Sequence, residues 1–336
     1  LNRLIYEDTT SFAIAGPGRV GKSSLAKAYL REMKRRGDVN THRVFVDCYH
    51  LSGVPIDKIA QQLALKVNSS PRADRTTAET FFDFLRVEQY NSRHGAIEFV
   101  LDEVDGIHYI FQMLTEAVKE KLCRLILCGR ENLMKMALEE EHNIARRLEL
   151  VRLAPLDRQE ARTLIKEPME ALGIGFAEGG YALIDKIAEL TGRQPHLIQF
   201  FCKRLALRVT KERRECIYLK DIEATEGDFE IAQCFTAPLS EITNPTTCLV
   251  AYSLLKYPRN TYTLADIQDT VNKAAQYLIP LETLSKVCNE LVISCILSWK
   301  EGGFGLGNGL LVTYAHKQGL IDKGIYQAFT TLKGQH

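Results

Sequence analysis

Eight residues constrain this chain more than any others: Gly16-Pro17-Gly18-Arg19-Val20-Gly21-Lys22-Ser23. They fit G-x-x-x-x-G-K-[ST] and sit where that spacing has physical meaning. Upstream, Ser11-Phe12-Ala13-Ile14-Ala15 reads as a short buried strand. Downstream, Ser24-Leu25-Ala26-Lys27-Ala28-Tyr29-Leu30 reads as the opening of a helix. Strand, glycine-rich turn and helix N-terminus in that order make a phosphate cradle. Backbone N–H groups there converge on an anion, and the helix dipole favours negative charge. Lys22 is expected to reach the β- and γ-phosphates, and the Ser23 hydroxyl to help hold Mg²⁺. Gly16, Gly18, Gly21, Lys22, Ser23 and Ser24 are the expected nucleotide contacts. The alternative is a chance glycine-rich turn, and the flanking strand and helix argue against it.

A second motif narrows the chemistry. The apolar run Ala96-Ile97-Glu98-Phe99-Val100-Leu101 ends in Asp102-Glu103-Val104-Asp105. A buried strand delivering an acidic pair puts its first carboxylate, Asp102, beside the metal held by Ser23. The next, Glu103, is expected to polarise a water for attack on the γ-phosphate, which is general-base work. Capping of the following helix is the alternative role for both. Asp105 reads as a loop or capping residue. A further strand at 124–128 runs into Gly129-Arg130-Glu131-Asn132, and ligands bind where parallel strands end. Arg130 is the first candidate to sense a γ-phosphate and Asn132 the second, because a guanidinium suits multiply charged phosphate oxygens. An arginine merely exposed in a loop is the other reading. Arg146 and Arg147 are either surface charge or a finger acting in trans in an assembly.

Strands at 11–15, 43–47, 96–101, 124–128 and 148–152 alternate with helical patterns at 54–67, 77–89, 109–120 and 131–139. That alternation predicts an α/β domain over 1–154, a parallel sheet with helices on both faces. From Pro155 to residue 235 the period is helical. Asp157 with Glu160 looks like a capping box, and helices are expected at 179–190 and 195–209. Residues 236–330 form a third expected unit. Asn244-Pro245 opens a helix through Leu255, Thr263 with Asp266 opens a second, and Leu281, Leu284, Val287, Cys288 and Leu291 stripe a third. Ile296-Leu297-Ser298-Trp299, Gly302-Gly303, Phe304 and Leu310-Leu311-Val312 then suggest a hairpin. Three helices and a hairpin make a winged-helix pattern.

The formal net charge of +1 exerts no global pull toward nucleic acid. The basic runs Lys27 to Arg36 and Lys203 to Arg214 read as solvated helix faces. No apolar run is long enough to span a bilayer. Nine cysteines, odd in number and without C-x-x-C, read as buried free thiols of a cytoplasmic protein. A start at Leu1 suits a piece of a longer polypeptide.

Gly16–Ser23 with Leu101–Asp105 resembles the additional-strand, catalytic-Glu branch of P-loop ATPases. Later segments narrow the likeness. Leu150-Val151-Arg152-Leu153-Ala154-Pro155-Leu156, the helix from Glu160 to Ile165 with Glu167-Pro168, and Thr191-Gly192-Arg193-Gln194-Pro195-His196-Leu197 resemble the helical lid of STAND ATPases, relatives of AAA+ proteins. The resemblance implies an ASCE/AAA+-like P-loop NTPase fold followed by a lid and a winged helix, with ATP or ADP and Mg²⁺ as ligands. It also implies that Pro195, at the start of a lid helix, contacts nucleotide, although the familiar Gly-x-Pro is here Arg193-Gln194-Pro195. A nucleotide-controlled switch with slow or regulated hydrolysis is the expected activity, with partner proteins or self-assembly as its output. A DNA-handling ATPase of the origin-recognition or transposition-regulator type is the less favoured reading, because helix 281–292 offers Lys286 as its sole basic residue against Glu282 and Glu290. A scaffold that binds nucleotide without turning it over is the third.

Overall fold

The computed structural model describes residues 4–5, 10–16, 18, 20–38, 41–91, 96–130, 133, 147–177 and 179–334, excluding the side chain of His108. The chain divides into two compact units, residues 1–16 with 21–153 and residues 17–20 with 154–336.

The first unit is built on five parallel strands: β1 (Ser11–Ala15), β2 (Thr41–Asp47), β3 (Ala96–Asp102), β4 (Cys123–Gly129) and β5 (Leu148–Arg152), in the order β2-β3-β4-β1-β5. The extra strand β4 separates β1, which leads into the glycine-rich loop, from β3, which carries the acidic pair. Every residue of β1 and β4 is buried, as expected of central strands covered on both faces. Alternation then decides which helix each side chain meets. Phe12, Ile14, Val100 and Ile126 pack with Ala26, Tyr29 and Met33 of α1 (Lys22–Arg35) on one face. Ala13, Phe99, Leu101, Leu125 and Leu127 share the other core. That core is covered by Ile59 and Leu63 of α2 (Ile56–Val67), Phe84 of α3 (Phe81–Asn91) and Leu114 of α4 (Phe111–Lys119). This is the P-loop NTPase fold. The expected helix at 131–139 lies outside the described residues except for Leu133.

The second unit is helical. The Asp157 carboxylate accepts from Glu160 N at 2.7 Å and the Glu160 carboxylate from Asp157 N at 3.0 Å, closing the expected capping box of α5 (Arg158–Ala171). There follow α6 (Gly180–Leu190), α7 (Pro195–Lys211), α8 (Leu219–Glu226) and α9 (Phe229–Ser240). Three more helices, α10 (Pro245–Lys256), α11 (Leu264–Ala275) and α12 (Leu281–Ile293), lead into an antiparallel hairpin of β6 (Leu297–Lys300) and β7 (Gly303–Leu306). Tyr262, between α10 and α11, adds one antiparallel bridge to Phe304 of β7.

The hairpin ends earlier than expected. Leu310-Leu311-Val312, read as part of it, belongs instead to a helix, α13 (Gly309–Lys317), followed by α14 (Leu320–Lys333). Asn308 caps that helix, its Oδ1 accepting from Leu311 N at 2.7 Å. Leu310, Leu311, Tyr314 and Ala315 then fall on one buried helical face.

Candidate nucleotide site

The loop after β1 is held by backbone and lysine together. Gly16 N donates to Gly129 O at 3.3 Å, tying the loop's start to the end of β4. Gly21 has φ +109°, a conformation that L side chains rarely adopt, so glycine is required there although the space beside it is open. Lys22, the first residue of α1, is buried and its ammonium donates back to Gly16 O at 3.1 Å. Ser23 is half-buried and Ser24 exposed on the same first turn, and Gly18 lies half-buried in the loop. Pro17 and Arg19 are outside the described residues.

Asp102 is the last residue of β3 and is buried. Its Oδ1 accepts from Glu103 N at 3.2 Å. Glu103 itself has φ +56°, the left-handed region that costs a non-glycine residue about 1–2 kcal/mol. The chain therefore turns sharply as it leaves the sheet, and a Glu103 carboxylate oxygen comes within 3.8 Å of Arg130 Nε. Arg130 follows β4 directly, so the ends of β3 and β4 bring together the two side chains expected to act on a γ-phosphate.

Asp105 does more than its sequence suggested. Its carboxylate accepts from Arg130 N at 2.5 Å and from Leu133 N at 3.3 Å, bridging the ends of the two strands. Gly129 makes room for this, since a Cβ there would stand 2.9 Å from Asp105 Oδ2 and 2.6 Å from Leu133 Cβ. A glycine before the candidate sensor arginine was the available signal for a side chain packed against that turn.

Electrostatics favours an anion. Burial pushes the Lys22 ammonium below the ordinary lysine range, Glu103 and Asp105 pull it back, and Arg130 pushes it further down. A buried ammonium beside a guanidinium would be relieved by a multiply charged anion. The oxygen donors Ser23 and Asp102 are of the type that suits Mg²⁺, a hard cation.

Pro195 lies in the second unit as the first residue of α7, with Gln194 as its N-cap. The turn before it is left-handed twice over, Gly192 at φ +58° and Arg193 at φ +57°. Arg193 therefore occupies, in the place of the Gly of Gly-x-Pro, a conformation that glycine adopts with least strain. Arg147 is described and exposed, whereas Asn132 and Arg146 lie outside the described residues.

Known proteins agree with this architecture. Residues 6–137 match the family of the AAA domain. No curated protein matches the chain. Among solved structures, the Walker-type ATPase Paby2304 of Pyrococcus abyssi is similar with a TM-score of 0.65 at 16% identity, covering 93% of this chain and 92% of that one. The ORC2 protein of Aeropyrum pernix, solved as ADPNP–ADP complexes, is similar with a TM-score of 0.65 at 11% identity over 99% of this chain and 92% of that one. The Aeropyrum pernix ORC1 protein in complex with DNA reaches 0.50 at 14% identity over 93% and 87%. At such identities the likeness is one of fold. Together with the AAA-domain match over residues 6–137, it agrees with the P-loop NTPase fold of the first unit.

Proposed function

We propose that this chain is a Mg²⁺-dependent ATPase acting as a nucleotide-controlled conformational switch. The observation that carries the reading is the convergence of Lys22, Glu103 and Arg130 where β1, β3 and β4 end, with Arg130 3.8 Å from Glu103. Lys22 neutralises the β- and γ-phosphates. Ser23 and Asp102 would hold Mg²⁺, which supplies charge neutralisation to the phosphate oxygens. Glu103 takes the proton of the attacking water, and Arg130 exchanges its carboxylate partner for γ-phosphate oxygens. That exchange gives ATP a contact ADP lacks, which is the differential interaction any switch requires. The Thr191–Pro195 turn supports the narrower STAND-like reading, with Pro195 as a lid contact and partner proteins or self-assembly as the output. The nine free cysteines support a cytoplasmic setting. Among the described residues, no helix is long and apolar enough to cross a membrane.

The test is direct. Lys22→Ala is expected to abolish ADP and ATP binding in calorimetry. Glu103→Gln is expected to retain binding and slow single-turnover hydrolysis about 100-fold or more. Full ATP affinity in the lysine variant would overturn the site.

A DNA-handling ATPase is the second reading, supported by two observations. The ORC1 protein of similar fold was solved with DNA, and α10, the Tyr262 bridge, α11, α12 and the β6–β7 hairpin follow in winged-helix order. On that hairpin Trp299 is 63% exposed and adjoins Lys300. Against it, Lys286 of α12 is paired with Glu282 at 3.0 Å, which leaves little charge for phosphates. Binding of duplex DNA that falls steeply with salt would put this reading first.

A further inference from the structure

We propose that Asp105 is a positioning residue for Arg130, fixing the turn from which Arg130 distinguishes ATP from ADP. The inference rests on the γ-phosphate role given to Arg130 above. Arg130 is half-exposed, and its side chain is 3.8 Å from Glu103, too long for a hydrogen bond. The backbone that launches it is held by a group of its own. The Asp105 carboxylate bonds that backbone at two points, Arg130 N at 2.5 Å and Leu133 N at 3.3 Å. Charge-assisted bonds of this kind are about twice as strong as neutral ones. The carboxylate lies against Gly129, in space that any larger residue would fill.

Asp105 also belongs to the segment that begins with Asp102 and Glu103. One side chain thus couples the tip of β3, which carries the general base, to the tip of β4, which carries the phosphate reader. Glu103 and Arg130 are held in one register by a group that need touch neither the nucleotide nor the metal. Loss of that group would free the Arg130 turn while leaving Lys22, Ser23 and Asp102 in place. The expected signature is a selective loss of preference for triphosphate, with diphosphate affinity retained.

The experiment measures the affinities of Mg²⁺-ADP and of a Mg²⁺-loaded non-hydrolysable ATP analogue for the full chain and four variants: Asp105→Ala, Asp105→Asn, Arg130→Ala and the double alanine variant. Arg130→Ala is expected to lower the triphosphate-over-diphosphate preference about tenfold, the scale of one charge-assisted hydrogen bond. Asp105→Ala is expected to lower it by a similar factor and to add nothing in the Arg130→Ala background, since coupled residues are not additive. Asp105→Asn keeps one acceptor oxygen and is expected to fall between wild type and Asp105→Ala. If Asp105→Ala does not fold, the asparagine variant carries the test, and an unchanged preference there overturns the proposal. An equal loss of both affinities in the Asp105 variants overturns it too, because that is the mark of a general structural role. An unchanged preference in Arg130→Ala overturns instead the reading of Arg130 on which the proposal stands.

Discussion

Glu98 of β3 and Arg124 of β4 stand opposite each other in the parallel register, and the Arg124 guanidinium donates to Glu98 Oε2 at 2.7 Å inside the core. Tyr29 OH donates to the same oxygen at 2.9 Å. Arg124 also donates to Thr10 O at 2.8 Å and to Leu4 O at 2.9 Å, pinning the chain ahead of β1. Burial pushes the Glu98 carboxyl up even though Arg124, Tyr29 and Arg43 pull it down. Arg124→Met would leave a buried carboxylate with its strongest partner gone and is expected to cost about 3–5 kcal/mol. Glu98→Leu with Arg124→Met removes both charges and is expected to cost less than the single change. Urea unfolding of both variants checks this, and a double variant worse than the single one would refute it.

Lys22 carries a pH prediction. Burial holds its ammonium below the ordinary value of 10.5 in the free protein. Phosphate oxygens favour the charged form, so its pKa is higher in the complex. Binding is then fully supported below the free-state pKa. It weakens tenfold per pH unit as pH rises from that value toward the bound-state one. ADP titrations between neutral and alkaline pH should show this decline beginning below 10.5. A flat profile up to that pH would remove Lys22 from the phosphate contacts.

The parts of this architecture legible in the sequence are those with local causes. β1, β3 and β4 announce themselves because central parallel strands are near-continuous apolar runs, and Gly21-Lys22-Ser23 because its spacing fits a phosphate loop between a strand and a helix. Leu310-Leu311-Val312 misleads because three apolar residues have no period, and the deciding cap, Asn308, acts through a bond to Leu311 N. Asp105 was legible only as a loop or capping residue. The backbone groups it binds, Arg130 N and Leu133 N, lie 25 and 28 residues away and adjoin it only once β3 and β4 pair. The left-handed turn at Glu103 is hidden for another reason: glutamate is not a residue that marks it.

That turn sets stability against activity. Glu103 at φ +56° is strained, and glycine adopts the same conformation freely. Glu103→Gly is expected to raise stability by about 1 kcal/mol, offset slightly by the loss of a part-exposed contact to Arg130, while hydrolysis falls to the level of Glu103→Gln or below. Thermal unfolding beside single-turnover assays checks both halves. A lowered melting temperature would mean that the Arg130 contact outweighs the strain.

Gly192 makes the last prediction, because two separate constraints act on it. Its φ of +58° favours glycine, and a Cβ there would fall 1.9 Å from Gly307 O in the chain following β7. That neighbour is backbone and is itself held, Gly307 N donating to Ile296 O at 2.8 Å. Gly173, after α5, shares the first constraint at φ +71° but has nothing within 4 Å of its Cβ position. Gly173→Ala is therefore expected to cost about 1 kcal/mol, the left-handed penalty alone. Gly192→Ala is expected to cost about 1–3 kcal/mol more, the scale of forced overpacking. Denaturant unfolding of the two variants separates the terms. Hydrogen exchange in Gly192→Ala should speed up around residues 295–308, where the displaced carbonyl lies, and equal losses in the two variants would show that the clash relaxes without cost.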